Sequence, residues 1–145
     1  MKIHDILRLK GHHVLTITEE RSVLEAARML TEHNVGSLVV VRAGEVAGII
    51  TERDILRLTA RAPGRLHRKP VGDNMTPDPV IAGSDDDLRK AMAVMTHHRI
   101  RHLPVQERGQ LVGIVSIGDL MKACLDLAED EIVHLRQYIH GGGAW

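Results

Sequence analysis

Two short motifs combine a hydroxyl side chain with a carboxylate three residues later, Thr51-Glu-Arg-Asp54 and Ser116-Ile-Gly-Asp119. Each follows a run of β-branched residues and stands where a helix is predicted to begin, so each carboxylate would lie one turn inside a helix. An ionised carboxylate can accept two hydroxyl hydrogen bonds at once, and a hydroxyl beside the free N–H groups of a helix start can meet a phosphate. The same spacing approximates a capping box, which would serve helix stability alone at ~1 kcal/mol per cap. Binding and capping can coexist in one motif.

The two motifs belong to a longer duplication. A shift of 65 residues aligns most of the first half of the chain with the second half without a gap. Identical residues recur through the whole unit under this shift, among them Ala26 and Ala91, Leu38 and Leu103, Gly48 and Gly113, and Asp54 and Asp119. The two halves are therefore one structural unit repeated.

Each half carries the same predicted order of elements, strand-helix-strand-strand-helix. Apolar residues at i, i+3, i+4 and i+7 predict the first helix of each half, and paired β-branched runs around a Gly-containing turn predict a hairpin. The predicted segments are strands near 13–17 and 80–82, helices over 23–30 and 88–95, hairpins of 38–41 with 46–50 and of 103–105 with 111–115, and second helices from Glu52 and from Ile117. We expect an α/β (α+β) fold of two such repeats packed about a pseudo-twofold axis.

Domain boundaries follow from composition. The first repeat is expected over 1–62 and the second over 71–126, while the stretch 63–70 has the prolines and cations of an exposed linker. Each half has about 60 residues, so neither is expected to bury enough surface to be stably folded alone. Residues 127–145 are expected to form a C-terminal helix extension that ends in a flexible tail at 141–145.

Four segments resemble CBS domains. GIITERD (48–54) and GIVSIGD (113–119) resemble the closing motif of that family, HRIRHLPV (98–105) resembles the sequence that leads into one of its strands, and VGDNMT (71–76) resembles the usual opening of a second repeat. The likeness covers roughly 3–125 and is similar to small bacterial proteins that consist of a CBS pair, or Bateman module, and little else. The resemblance implies a regulatory sensor that binds AMP, ADP, ATP, NAD or S-adenosylmethionine between its repeats and signals to an effector protein.

An adenosine ligand presents a flat base, a vicinal diol and, in a nucleotide, an anionic phosphate. Under the resemblance, Asp54 and Asp119 would bind the ribose hydroxyls, and a carboxylate there would exclude a 2′-phosphate, so a 2′-phosphorylated ligand should bind poorly. The phosphate candidates are the two motif hydroxyls and four cations, namely Thr51, Ser116, Arg53, Arg99, Arg101 and Lys10. Because aromatic side chains are nearly absent, the base would lie between aliphatic walls.

The two halves differ in charge around the motifs. Under the 65-residue shift, the differing pairs are Asn34 and Arg99, Gly36 and Arg101, Ser37 and His102, and Arg53 and Gly118. Arginine forks suit phosphate oxygens. We therefore expect one strong site, which combines Asp54 with Arg53, Arg99 and Arg101, and one weak or empty site. The competing interpretation is that these arginines are ordinary solvated surface.

Composition narrows the function classes. Basic and acidic residues balance at 19 each, and the aromatic residues are Tyr138 and Trp145. Balanced charge and the lack of aromatic side chains on which bases could stack argue against nucleic-acid binding. Only the basic segments 65–69 and 99–102 favour it. No apolar run approaches the ~18 residues of a membrane span, no secretory leader is predicted, and Cys124 is the single cysteine, so we expect a cytoplasmic protein that does not bind membranes.

Catalysis and metal binding are both expected to be absent. If 98–105 is extended, His98 and His102 share a face of the strand but stand ~13 Å apart, too far to share a metal ion. No combination of nucleophile and base stands out, and Cys124 lies among helical apolar positions, as a buried thiol would. We therefore predict no catalytic residue and no metal site.

The last helix carries an apolar seam. Its members are spaced 4, 3, 4, 3 and 4 residues apart: Met121, Leu125, Ala128, Ile132, Leu135 and Ile139. A single helix cannot bury such a seam, so residues 126–140 are expected to pack on a second subunit in a homodimer; packing back on the same chain is the alternative. If the clefts have lost ligand binding, the alternative function is a ligand-free dimeric scaffold.

Overall fold

The computed structural model describes residues 1–142, so residues 143–145 of the predicted tail lie outside the described part of the chain. The helices are α1 (Ile3–Lys10), α2 (Val23–His33), α3 (Glu52–Arg61), α4 (Val71–Asn74), α5 (Leu88–His98) and α6 (Ile117–Gly142). The strands are β1 (Thr16–Thr18), β2 (Ser37–Arg42), β3 (Glu45–Thr51), β4 (Thr76–Pro77), β5 (Ala82–Gly83), β6 (His102–Glu107) and β7 (Gln110–Ser116). A short 3-10 helix, Leu66–Arg68, lies in the predicted linker.

The predicted fold class and the strand-helix-strand-strand-helix order of each repeat are confirmed. The first repeat runs β1-α2-β2-β3-α3 and the second runs β5-α5-β6-β7-α6. In each repeat the first strand pairs in parallel with the second, and the second pairs antiparallel with the third. The strands β1 and β5 begin later than predicted, because a strand exists only where its ladder partner lies alongside: Thr16 is the first residue of β1 opposite β2.

Both hairpins turn through two residues in the left-handed region. These are Ala43 (φ 50°) with Gly44 (φ 80°), and Arg108 (φ 52°) with Gly109 (φ 76°). Positive φ at both central residues is the type I′ geometry, whose twist matches that of the flanking strands. The glycine predicted for each turn therefore occupies a position that its missing Cβ makes inexpensive.

Each repeat is completed by a helix from the other side of the linker. Helix α1 buries Ile3, Ile6 and Leu7 in the core of the second repeat. In return, α4 buries Val71 in the core of the first repeat, and β4 extends the first sheet beside β3. Backbone hydrogen bonds reinforce both exchanges, from Ile3 to Asp86 and from Val71 to Arg21. Two cores therefore form, and each depends on both halves of the chain.

Helix α1, helix α4 and strand β4 were not predicted from the sequence. All are short, and α1 offers one apolar face of only a few residues, for which local periodicity is weak evidence. Their stability comes from packing on a distant part of the chain, as is usual for short helices. Under the 65-residue shift, α4 falls on residues 6–9 of α1, but the two helices share no identical residue, so the repeat gave no sign of them.

Helix α6 continues well beyond the second repeat. Leu120 and Ala123 are buried, but every residue from Leu125 to His140 is exposed. The helix does not fold back on its own chain, so the alternative of intramolecular packing for 126–140 is wrong. The first two residues of the predicted tail, Gly141 and Gly142, continue the helix. Within residues 1–142, no helix is both long and apolar enough to cross a membrane.

Candidate functional site

The first motif forms a capping box at the start of α3. The Asp54 N–H donates to Thr51 Oγ1 at 3.3 Å, and the Thr51 N–H donates to Asp54 Oδ2 at 3.0 Å. The other carboxylate oxygen, Oδ1, accepts a long hydrogen bond of 3.4 Å from the Thr76 hydroxyl. Within the described residues, no cation forms an ion pair with Asp54. Capping is therefore real here, and it leaves the second carboxylate oxygen with one long hydrogen bond and acceptor capacity to spare.

The second motif is occupied by a lysine from the other end of the chain. The Ser116 N–H donates to Asp119 Oδ2 at 2.8 Å, and Lys10 Nζ donates to the same oxygen at 2.6 Å. Lys10 also donates to the carbonyl oxygen of Ile114 at 2.7 Å. Burial raises the pKa of Asp119, but the hydrogen bonds from Lys10 and Ser116 outweigh burial, so the pKa lies below its usual value. The carboxylate of this motif is therefore ionised, and its negative charge is balanced by the Lys10 ammonium.

Three predicted phosphate ligands line one cavity. Arg53 from the first repeat and Arg99 and Arg101 from the second face a cavity of about 270 Å³ between the repeats. Its remaining lining includes Ile100 and Ile117, which supply aliphatic surface. Within the described part of the chain, none of the three guanidinium groups forms an ion pair with a carboxylate. Such a cluster of positive charge beside apolar walls suits an anion attached to an apolar group.

Arg99 adopts a backbone conformation that is unfavourable for arginine. It is the C-terminal cap of α5 with φ 54° and ψ 43°, and its counterpart Asn34 caps α2 with φ 52° and ψ 49°. Asparagine tolerates the left-handed region, whereas most other side chains pay a conformational cost there. The second repeat thus carries a cation at a position where the first repeat has the more stable residue.

We expect Arg99→Asn to make the protein more stable and a worse anion binder. The free energy of unfolding should rise by about 0.5 to 1 kcal/mol because the left-handed strain is relieved. Affinity for a phosphate-bearing ligand should fall roughly tenfold, since one charge-assisted hydrogen bond is lost. Denaturant unfolding and calorimetry measure the two effects. The matched control is Asn34→Arg, which should lose stability; equal stability of both variants with the natural protein would contradict the strain argument.

His102 lies at the centre of the contact between the repeats, a role that sequence reasoning missed. A Cβ on Gly36 would lie 3.0 Å from His102 Nε2, so any larger residue there would require the ring to shift by a few tenths of an ångström. Burial lowers the pKa of His102, while the charge of Glu52 raises it and those of Lys10 and Arg101 act in the lowering direction. The ring is therefore neutral at pH 7 beside Lys10 and Asp119. The one sequence signal for this role was that His102 corresponds to Ser37 under the 65-residue shift.

The histidines do not form a metal centre in the part of the chain that the structure describes. No group of three or more His, Cys, Asp or Glu side chains within residues 1–142 is arranged to hold a metal ion. His97 and His98 instead contact each other edge to face at the end of α5, with ring centroids 5.0 Å apart. Cys124 is half-buried in α6, and its Sγ lies 3.3 Å from the Met92 sulfur.

Comparison with known proteins gives the class to which this fold and these motifs belong. The family model for the CBS domain matches residues 4–61 and 71–126, and the chain belongs to this family as a tandem CBS pair.

Particular relatives support this assignment along most of the chain. The chain is 38% identical to the mitochondrial CBS domain-containing protein CBSX3 of Arabidopsis thaliana, over 97% of this chain and 72% of that protein. The crystal structure of ATU1752 from Agrobacterium tumefaciens is 39% identical, with a TM-score of 0.82 over 85% of this chain and 98% of that one. The CBS pair of MJ0100, solved with 5-methylthioadenosine and S-adenosyl-L-methionine, is 28% identical, with a TM-score of 0.75 over 85% and 94% of the two chains.

Proposed function

We propose that this protein is a regulatory sensor, and not an enzyme, that binds an adenine nucleotide or NAD beside Asp54 and communicates its presence to an effector protein. One observation carries the proposal. The Asp54 carboxylate has no cationic partner among the described residues, and it lies next in sequence to Arg53, which shares a cavity with Arg99 and Arg101. Asp54 itself does not line that cavity, so the proposal requires the nucleotide to reach from the three arginines around the start of α3 to the Asp54 carboxylate.

The charge of the cavity favours a ligand with phosphate. MJ0100 was solved with two adenosyl compounds that carry sulfur in place of a phosphate, and this chain shares its fold. Three guanidinium groups without ion-pair partners in residues 1–142 would attract AMP, ADP, ATP or NAD and repel the sulfonium of S-adenosylmethionine.

The second cleft, at Ser116 and Asp119, is proposed as the weaker site. A diol that binds Asp119 must share the carboxylate with the Lys10 ammonium, which already donates at 2.6 Å. Breaking a half-buried ion pair costs free energy, and the contacts of the ligand would have to compensate for this cost. A phosphate on that ligand would offset part of this free-energy cost by accepting a hydrogen bond from Lys10. One strong and one weak site per chain follow from this difference.

The same ion pair supports a second candidate function. In the second cleft, the protein's own Lys10 supplies the partner that a ligand would otherwise provide. If the first cleft also stays empty in solution, the protein acts as a ligand-free dimeric scaffold. In either function we place the protein in the cytoplasm, a reducing compartment, because its sequence has one cysteine and no second to form a disulfide within the chain.

Calorimetry with a ligand panel separates these functions. We expect AMP, ATP or NAD to bind near one equivalent per chain, and NADP to bind roughly tenfold or more weakly than NAD because its 2′-phosphate meets the Asp54 carboxylate. S-adenosylmethionine should also bind more weakly than AMP. The panel includes a short oligonucleotide as a control for unspecific attraction to the arginines. Absence of heat with every adenosine compound would overturn the sensor and favour the scaffold.

A further inference from the structure

The C-terminal part of α6 is an exposed helix with one apolar stripe. Its exposed residues 125–140 span about 24 Å at 1.5 Å per residue. Among the seam residues, Ile132 is 48%, Leu135 61% and Ile139 65% exposed. A helix of this length is marginal by itself in water, and most helices are stabilised by burial of such a stripe. The stripe therefore needs a partner, and its own chain does not supply one within the described residues.

The seam has the composition of a two-stranded coiled coil. In a heptad frame, Leu125, Ile132 and Ile139 occupy the a positions, while Met121, Ala128 and Leu135 occupy the d positions. Two of the three a positions, Ile132 and Ile139, are β-branched, and β-branched residues at a with leucine at d, as at Leu135, favour two strands. The seam covers fewer than three heptads, so the charges that flank it decide which orientation is stable.

The flanking charges select a parallel pair. In a parallel, in-register pair, each g residue faces the e residue five positions later on the other helix, which places Glu131 of each copy beside Arg136 of the other. In the antiparallel pair that overlaps the whole seam, e faces e and g faces g. Glu129 then meets Glu129, Glu131 meets Glu131, and Lys122 meets Arg136. The parallel arrangement makes two attractive contacts, and the antiparallel one makes only repulsive contacts at these positions.

We propose that α6 pairs with α6 of a second copy of this chain as a short, parallel, in-register, two-stranded coiled coil. The inference rests on the homodimer that the sequence predicts and is independent of the ligand. The twofold axis of the dimer then runs along the seam, and the two second repeats lie side by side at its base.

Engineered cysteines test the orientation. In a Cys124→Ser background, Ala128→Cys places a thiol at a d position, where the two copies face each other in a parallel, in-register pair, so mild oxidation should link most of the protein as a dimer. The control, Asp130→Cys, points away from the seam and should remain mostly unlinked. A dimer in sedimentation that Ala128→Cys fails to link would overturn the parallel geometry and leave the homodimer standing.

Sedimentation equilibrium of the full chain tests the interface itself. Ile132→Lys should weaken the dimer about tenfold or more by burying a charge in the seam. Its matched control, Val133→Lys, replaces a neighbour that is similarly exposed but lies off the seam, and should leave the dimer unchanged. Glu131→Arg and Arg136→Glu should each weaken it, and the double swap should restore it.

Nucleotide calorimetry on the same variants distinguishes this inference from the ligand proposal. Ile132→Lys keeps both clefts, so binding of AMP confirms that the variant is folded while its dimer is weakened. If Ile132→Lys and Val133→Lys dissociate alike, the coiled coil is wrong whatever the clefts bind. If the coiled coil forms and no nucleotide binds, the sensor proposal fails and the coiled coil stands.

Discussion

Asp54→Ala should weaken binding of the adenosine ligand by about a hundredfold or more. Two ribose hydroxyls that donate to one carboxylate each contribute about 1.5 to 3 kcal/mol, because hydrogen bonds to charged groups are the strong ones. Their joint loss corresponds to two or more factors of ten. Calorimetry with the best nucleotide of the panel measures the effect, and Asp119→Ala should change that strong site little.

The difficulty with this variant is that Asp54 also caps α3. Its carboxylate accepts the Thr51 N–H, so the substitution also removes a cap worth ~1 kcal/mol. Asp87→Ala is the matched control, because Asp87 caps α5 through the Arg89 N–H and belongs to neither of the two hydroxyl-carboxylate motifs. Both variants should lose similar stability in thermal melts, but only Asp54→Ala should lose the ligand. Equal affinity in the two variants would reduce Asp54 to a cap.

Gly48→Ala should be the most destabilising of the single-methyl additions. A Cβ on Gly48 would lie 2.7 Å from the Thr76 carbonyl oxygen and 2.5 Å from the Met75 sulfur. Met75 can rotate, but Thr76 belongs to β4, which pairs with β3 through Gly48 itself. Relief therefore requires β4 to move away from its ladder. We expect a loss of roughly 2 to 3 kcal/mol, which is the upper part of the range for overpacked cores.

Two other glycines calibrate this result. Gly113 occupies the equivalent position in the second repeat, but there the added Cβ meets the Leu7 side chain at 2.6 Å and no backbone atom within the closest contacts. Gly113→Ala should therefore cost less than Gly48→Ala. Gly118 has its nearest neighbour, Ser116 Oγ, at 3.6 Å, so Gly118→Ala should be neutral or gain up to about 1 kcal/mol of helix propensity. Midpoints of urea unfolding would rank the three, and a Gly48→Ala midpoint at or above that of Gly113→Ala would contradict the backbone argument.

The duplicated parts of the fold could be predicted from the sequence because each occurs in both halves of the chain. The apolar periodicities that predict α2 and both hairpins agree between the halves, as does the one that predicts α5. Because the same pattern occurs at two places, the prediction of each element is stronger. Helix α1 has only the four-residue α4 as its counterpart under the 65-residue shift, and the two helices share no identical residue. Its burial depends on the second repeat, about a hundred residues away, which no local pattern expresses.

The candidate site could be predicted in its members but less well in its pairings. Comparison of the halves grouped Arg53 with Arg99 and Arg101, and the structure places all three around one cavity. The sequence predicts Lys10 as a phosphate ligand, yet in the structure its ammonium pairs with Asp119, 109 residues away. Such a contact depends on where α1 docks, and α1 was itself unforeseen. The position of His102 against Gly36 was missed for the same reason, since it arises only when the repeats face each other.

Helix α6 is one uninterrupted rod of 26 residues, Ile117 to Gly142, about 39 Å long. Its first turn holds Asp119 and lines the arginine cavity through Ile117, while its far end stands free of the domain. A rod converts a small rotation at one end into displacement at the other: a tilt of roughly 5° at the cleft would move the far end by about 3 Å over this length. In the proposed dimer, where that end pairs with α6 of the second copy, a tilt at the cleft would therefore reach the partner subunit as a displacement of the helix.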